Sequence, residues 1–443
     1  MIKKYDVAIV GGGIAGASLL YVLARYTNIG HIVLVEKNDS FGSVNTHPHM
    51  NSQTLHTGDI ETNYTIEKSK SVKEATDLLI TYLEKYVSHD AYDKNSKMVI
   101  GVGTKEVSEL EDRFREFSLL YPYLQKIDKE GIAKIEPNIL NERDMDEEII
   151  ALSTIGYTVD FQQVAQSLIQ EALKTGKVSI EKNSEIIDIE GEKGNFYLSM
   201  TQGEVRAKTV AVMTGPHSLL FAKQMGYGKH LGLLPVAGNF YFSKKKNVLN
   251  GKVYTVQNKK LPFAAVHGDN EIHDKGVIRF GPTAKVLPML ERGNYESVLE
   301  FLKTSVWSLK GIWSLLRIIS DRTLFLFVLK NMLYDLPVVG KYFFLQQVRK
   351  IVPSMKYSDI YFAKGMGGIR PQIVNTETGN LEMGEAEIVG NGIIFNITPS
   401  PGASVCLKNA HIDAERLVSF LGDSFVFNID EWNEEFKKEN VLV

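Results

Sequence analysis

Residues 7–36 read VAIVGGGIAGASLLYVLARYTNIGHIVLVE, and the fold follows from this stretch. Val7 to Val10 is a short apolar run rich in β-branched residues, which predicts a strand. Gly11-x-Gly13-x-x-Gly16 follows at once. The apolar positions Ala17, Leu20, Val22, Leu23 and Ala24 then predict a helix, and Ile32 to Val35 a second strand ending in Glu36. Gly11 permits the tight turn, Gly13 lets a pyrophosphate approach the backbone, and Gly16 lets helix and strand pack closely. The phosphates lie on the helix start at Ile14 and Ala15, and Glu36, followed by Lys37, accepts hydrogen bonds from an adenosine ribose. A signal peptide is the competing reading, because Met1 to Lys4 is basic and no charge falls between Val7 and Ala24. Asp6 interrupts that approach. Gly11, Gly12, Gly13 and Gly16 sit where an apolar helix would be continuous, each costing about 1 kcal/mol of helix propensity.

With 443 residues the chain is expected to form two domains. Its 44% hydrophobic and 23% charged residues describe a globular protein, and no other uncharged run is long enough to span a bilayer. The net charge of −3 gives no overall attraction to nucleic acid, and no nucleic-acid-binding motif is present. The single cysteine, Cys406, excludes an internal disulfide and suits a reducing compartment, where a buried, inert thiol is expected. No metal-ligand spacing occurs: His47 and His49 stand two apart in a loop without further ligands. The G-x-S-x-G turn of serine hydrolases is also missing.

FAD and NAD share the N-terminal fingerprint, so the choice falls to the C-terminal part. There KGMGGIRPQ (364–372) precedes a strand-like run, Gly392 to Ile397. TPSPGAS (398–404) then opens a helix from about Val405 to Phe420. A proline-glycine turn at a helix start offers free N–H groups and a positive dipole end, suited to the negative charge of a reduced flavin. An ordinary capped helix fits those residues equally well.

Taken together, these blocks resemble the flavin-dependent family that includes D-amino-acid oxidase, glycerol-3-phosphate dehydrogenase, L-2-hydroxyglutarate dehydrogenase and malate:quinone oxidoreductase. The resemblance runs almost end to end. NSQTLHTG (51–58) resembles the segment that passes the flavin ring, which implies cofactor contacts from Asn51, Ser52 and Gln53. TVAVMTG (209–215) resembles the strand returning to the flavin, which brings Thr214 and Gly215 to it, after an adenine-side strand near Ile186 and Ile187. LPFAAVHGD (261–269) and FGPT (280–283) resemble substrate-domain strands of the hydroxy-acid members. Gly368, Ile369, Arg370 and Pro371 resemble the arginine motif that holds the substrate carboxylate, and Pro401, Gly402, Ala403 and Ser404 fall at the flavin. The blocks NSQTLHTGDIETNYT, LLPVAGNFYF, KVYTVQNKKLPFAAVHGD and FNITPSPGAS are most similar to the shorter bacterial malate:quinone oxidoreductases. The hydroxyglutarate enzymes come second. Ahead of His56, longer malate enzymes carry a glycine-rich stretch where this chain has Gln53, Thr54 and Leu55, as in the hydroxyglutarate-like members.

The resemblance implies an α/β (α+β overall) architecture, with a Rossmann-like FAD-binding domain (1–86, 152–226, 362–443) interleaved with an antiparallel-sheet substrate domain (87–151, 227–361). The residues agree. Val72, Ala75, Leu79 and Leu83 predict a helix over Glu67 to Tyr86, and Lys97 to Val102 a strand. Period-two stretches at Tyr254–Gln257, Phe263–His267 and Val277–Phe280 predict an antiparallel sheet. Residues 303–350 stand apart. They hold Lys303, Lys310, Arg317, Arg322, Lys330, Lys341, Arg349 and Lys350 against Asp321 and Asp335, so this segment is +6 and the remainder −9. Trp307, Trp313, Leu315, Leu316, Phe325, Phe327, Phe343 and Phe344 accompany them. One reading is a helical segment on an anionic membrane surface, the inner face of the cell membrane. The other is a helical subdomain packing its own core.

Oxidising a secondary alcohol on a flavin requires a hydride acceptor at N5, a base for the hydroxyl proton and a clamp for the acid. Arg370 suits the clamp, because a guanidinium grips a carboxylate through two parallel hydrogen bonds. His56 and His267 are the candidate bases, and the reading leans to His267 as base with His56 positioning the substrate. His47, His49, His217, His230 and His411 receive no function. The activity implied is oxidation of L-malate, a small 2-hydroxy dicarboxylic acid, to oxaloacetate, with electrons passed to a membrane quinone. L-2-hydroxyglutarate dehydrogenation is the alternative; a peroxide-forming oxidase and a non-catalytic FAD-binding scaffold are the others. FAD is expected to be non-covalent, with no cysteine near the ring-facing blocks.

Overall fold

In the computed structural model, the described residues are 2–257, 265–306, 308–336, 338–382, 387–397 and 401–437. The fingerprint folds as read: β1 (Lys3–Val10), α1 (Ile14–Tyr26) and β2 (Ile32–Val35), with β1 and β2 parallel and Val7 opposite Ile32. β1 lies at the middle of the sheet. On its other side Gly203–Val212 runs parallel, and the main path of this eight-stranded sheet is Glu387–Val389, Ile393–Asn396, Gly203–Val212, β1, β2, Val178–Glu181, with Asn195–Met200 branching from Gly203–Val212 and pairing Ile186–Glu192. Val7, Ile9 and Leu34 face α1 and the helices Phe161–Leu173 and Cys406–Leu421, burying Leu20, Leu23, Leu168 and Leu417. Ala8, Val10, Val33 and Val35 face the hairpin Ile186–Glu192 and Asn195–Met200, against Ile189, Phe196 and Leu198. Cover on both faces is why these strands are apolar throughout rather than alternating.

A second eight-stranded sheet runs Ile360–Ala363, Phe240–Ser243, Ile278–Gly281, His267–Asn270, Lys252–Thr255, Tyr92–Val102, Ile149–Val159, Gln125–Ile127. Its three short central strands are the antiparallel neighbours that the period-two stretches predict, although Phe263 and Ala264 lie outside the described residues. One junction differs from a purely antiparallel sheet: Lys252–Thr255 pairs in parallel with Tyr92–Val102. The helix predicted from Glu67 spans Ile66–Tyr86, capped by Thr65 and burying Val72, Ala75, Leu79 and Leu83. A third sheet, Lys285–Val286, Leu231–Ala237, Ile369–Asn375, Asn380–Glu382, carries Arg370 opposite Val236. Ile149–Val159 therefore runs through the division placed at residue 152, and Ile369–Asn375 pairs across the one placed at 362. The division of the chain into two domains at those points is a proposal.

Residues 303–350 divide between the two readings made of them. Val339–Ile351 belongs to the core of the second sheet: Phe344, Leu345, Val348 and Ile351 are buried, and Phe344 stacks on Tyr241 at 4.5 Å. Leu309–Ser320 and Arg322–Tyr334 lie over the third sheet, with Leu315, Ile318, Leu324 and Phe327 packed on Leu234, Val236 and Val374. Their other side leaves Ile312, Trp313, Leu316, Ile319, Phe325, Leu326, Leu329 and Met332 exposed. Trp307 lies outside the described residues.

Candidate active site

Among the described residues a cavity of about 590 Å³ runs along the carboxyl ends of β1 and β2, as open α/β sheets provide. Gly11 is left-handed at φ 102°, and a Cβ on it would stand 2.7 Å from the Met213 carbonyl oxygen. A Cβ on Gly16 would come within 1.9 Å of the Gly11 carbonyl oxygen, so α1 can sit this close to the turn only over glycine. Gly11, Gly13, Ile14 and Ala15 line the cavity, whereas Gly16 acts from behind it. Glu36 lines it too, held by the Gly12 N–H at 2.7 Å and the Asn38 N–H at 2.9 Å. Lys37 and Ile186 close that end, Lys37 paired with Glu291. An open groove ending at a helix start and a carboxylate fits the pyrophosphate and ribose of a dinucleotide.

Toward the other end the lining comes from Asn51, Ser52, Thr214, Gly215, Gly368, Pro401, Gly402, Ala403 and Ser404. Asn51 pins its own loop, its Nδ2 donating to the carbonyls of Asn45, Thr46 and His47. Gln53, expected at the cofactor, is instead buried behind it in the left-handed region (φ 51°). Its Nε2 donates to Glu271 at 2.8 Å, and its Oε1 accepts the Ile272 N–H. Beneath it Lys252 and Arg279 share Asp269 and donate to carbonyls of Gln53 and Ser52, a buried ionic floor under the loop. The backbone of Gly368 packs on Met50, and a Cβ there would be 2.4 Å from Asn45 Oδ1.

His56 and Arg370 both line the cavity at this end. The backbone N–H of His56 donates to Ser404 Oγ at 2.9 Å, tying the 51–58 segment to the start of the last long helix. Its ring Nδ1 lies 3.0 Å from Glu61 Oε1. Burial works to raise the Glu61 carboxyl, but Lys97 and His56 outweigh it and hold it at about 2. Arg370 is deep enough that burial lowers its guanidinium from the usual value, and no carboxylate among the described residues pairs with it. Arg370 is half-buried at the cavity wall, so its guanidinium is open to the cavity.

His267 is wholly buried and is not part of the lining. It stacks on Tyr254 at 4.5 Å, with Nδ1 3.1 Å from the Ala265 carbonyl oxygen. Burial pushes its imidazole down to about 4, with Lys252 and His56 adding to the effect against the Asp269 carboxylate. Tyr254, which burial holds protonated, bonds Thr54. Sequence reading passed over Glu61 and Tyr254, although both stand inside the quoted blocks, since neither residue type announces a role without its neighbours. It also passed over the loop at 42–46, where Thr46 Oγ1 accepts the Ile14 N–H, and over His217, which lines the cavity and pairs with Glu300 at 3.0 Å. Cys406 borders the cavity, contrary to expectation, but burial pushes its thiol up to about 11 and keeps it unreactive.

Known proteins share both this fold and this sequence. The chain is 17% identical to the L-alpha-glycerophosphate oxidase of Mycoplasma pneumoniae, solved with FAD bound, over 96% of this chain and 97% of that one, with a TM-score of 0.67. It is 43% identical to a probable malate:quinone oxidoreductase of Campylobacter jejuni, over 98% of this chain and 99% of that one. It is 38% identical to the malate:quinone oxidoreductase of Helicobacter pylori, over 96% of each. The model of the malate:quinone oxidoreductase (Mqo) family matches residues 3–438. With nearly its whole length matched in this way, the chain belongs to the malate:quinone oxidoreductase family.

Proposed function

We propose that the chain oxidises malate to oxaloacetate at the Arg370 end of the cavity, with a non-covalent FAD along its length, and passes the electrons to a quinone at a membrane surface. The observation that carries this reading is the guanidinium of Arg370, paired with no carboxylate among the described residues, in the same cavity as an imidazole of which only Nδ1 has a partner among those residues. FAD fits the residues present: the glycines whose missing Cβ atoms clear the turn, the carboxylate of Glu36 at one end, and the Pro401–Ser404 backbone at the other. When bound, FAD supplies the acceptor for the hydride that leaves the hydroxyl-bearing carbon, and it holds the electron pair until the quinone takes it.

Arg370 grips the malate carboxylate through two parallel hydrogen bonds and fixes which face of the acid is presented. His56 takes the hydroxyl proton at Nε2. This assignment exchanges the roles leaned to from sequence: His56 borders the cavity and has a carboxylate behind it, whereas His267 is sealed in with an imidazole pushed down to about 4. His267, stacked on the protonated Tyr254, stays neutral and buried behind the cavity, where it packs the loop that carries His56 rather than meeting the acid. The test is anaerobic mixing of the purified holoenzyme with malate or with 2-hydroxyglutarate, watching the flavin absorbance. Malate is expected to bleach it faster, and preference for the longer acid would move the substrate assignment to the alternative.

No single helix among the described residues is long and apolar enough to cross a membrane. The exposed apolar side of Leu309–Ser320 and Arg322–Tyr334, within a segment of charge +6, supports a peripheral position on an anionic cytoplasmic leaflet.

A further inference from the structure

We infer that Glu61 is the positioning residue for His56: its carboxylate accepts the imidazole Nδ1–H, fixing the tautomer that leaves Nε2 bare toward the cavity. The inference rests on the reading of His56 as the base, and adds what makes it one. Among the described residues the ring of His56 has one side-chain partner, Glu61 Oε1 at 3.0 Å, and His56 lines the cavity. An imidazole whose Nδ1 donates to a carboxylate must present an unprotonated Nε2, and the carboxylate then stabilises the imidazolium that forms when a proton arrives.

The surroundings are built to keep Glu61 charged and in place. Lys97, on Tyr92–Val102, is wholly buried, 2.8 Å from Asp59 and 3.9 Å from Glu61, and its Nζ donates to Thr57 Oγ1 at 2.6 Å. The neighbouring strand clears its path with Gly156, where a Cβ would stand 2.7 Å from that of Lys97. Burial opposes the ammonium, but Asp59 and Glu61 prevail and raise it above its usual value. From the helix Thr104–Phe117, Arg113 also faces Glu61 and Asp59, beside Tyr64 and Tyr121. His267, from the second sheet, adds a weak electrostatic interaction with the His56 imidazole. Two cations and two carboxylates therefore balance before catalysis, and the proton from malate arrives as an added charge directly against Glu61. A buried ionic cluster whose only purpose was packing would not need one of its carboxylates turned to a histidine at the cavity wall.

The test uses holoenzyme labelled with ¹⁵N-histidine, and the variants Glu61→Gln, Glu61→Asp and His56→Gln. In the unsubstituted protein, the imidazole signal lost in His56→Gln should report a protonated Nδ1 and a bare Nε2. Glu61→Gln should keep its flavin and its KM for malate. Its flavin reduction should slow about 10- to 100-fold, part of the 10²–10⁴ that a positioned base contributes, and the acid limb of the profile should move to lower pH. Glu61→Asp should recover part of the rate. A Glu61→Gln enzyme with unchanged rate and pH profile, alongside a slowed His56→Gln, would overturn the positioning role and leave the base assignment standing. Normal reduction by His56→Gln would instead remove the base itself, and a His56 signal with Nε2 protonated would overturn the tautomer in either case.

Discussion

Arg370 spends its charge on no carboxylate among the described residues, so its variants report on the bound acid rather than on the fold. Arg370→Lys should retain flavin but lose about 2 to 4 kcal/mol in kcat/KM for malate, since a point charge cannot make the two-pronged grip. Steady-state kinetics near the normal values would take Arg370 out of the site. His56→Ala should slow flavin reduction by about 10² to 10⁴, read by anaerobic stopped flow. His267 makes a separate pH prediction. Its imidazole is held down to about 4 in the fold and returns to about 6.5 on unfolding, so the unfolded chain binds the extra proton between those values. Its contribution to stability is full above pH about 6.5 and is lost as the pH falls toward 4. Thermal melts across that window should fall less steeply for His267→Gln; equal slopes would mean the imidazole titrates normally in the fold. Arg370 and both histidines could be singled out as candidates in the sequence because each stands in a block whose neighbours carry the resemblance. Which histidine faces the cavity was not legible, because that depends on Glu61 and Lys97 meeting through a strand that begins at residue 92.

At the scale of elements, the fingerprint was the most legible part, since strand, turn, helix and strand are all local and each glycine has one steric reason. Gly16→Ala tests that reason. With a Cβ 1.9 Å from the Gly11 carbonyl oxygen, α1 must lift from the turn, at a cost on the order of 1 to 3 kcal/mol for overpacking. The purified variant should therefore carry little flavin, and a full complement by absorbance would mean that the helix yields freely. The segment 303–350 was legible as charge and bulk but not as direction. Phe344 and Leu345 point into the core, whereas Leu316 and Leu326 point out, and only contact with the sheets decides between them. The outward side of Leu309–Ser320 and Arg322–Tyr334 should bind anionic vesicles, less so at higher salt, and neutral vesicles poorly. Each basic residue near the surface adds about 1 kcal/mol. Lys310, Arg317 and Lys330 changed together to glutamate should release the protein and slow quinone reduction while malate still reduces the flavin at the normal rate. Release without a fall in quinone turnover would separate this surface from the quinone's route.

Over the whole molecule, the cavity gathers its walls from both extremes of the chain: Gly11 and Glu36, Thr214 and Gly215, Arg370, and Pro401 to Ser404. That interleaving came from the resemblance; no local pattern states which distant strands become neighbours. On the proposed reading FAD would be held by many separated non-covalent contacts, and the Cys406 thiol is held up at about 11, so acid precipitation should release the flavin into the supernatant. Colour staying in the pellet would point to a covalent link. The strand order also bears on how the protein is made. β1 is synthesised early, yet its sheet waits for Gly203–Val212 and then for Ile393–Asn396, and the Pro401–Ser404 wall is translated later still. A growing chain on the ribosome therefore has half a nucleotide groove and nothing to close it, and the proposed flavin could be captured only once residues 401–404 have been translated. Scarcity of the vitamin would then leave full-length apoprotein waiting for its cofactor, rather than fewer chains begun.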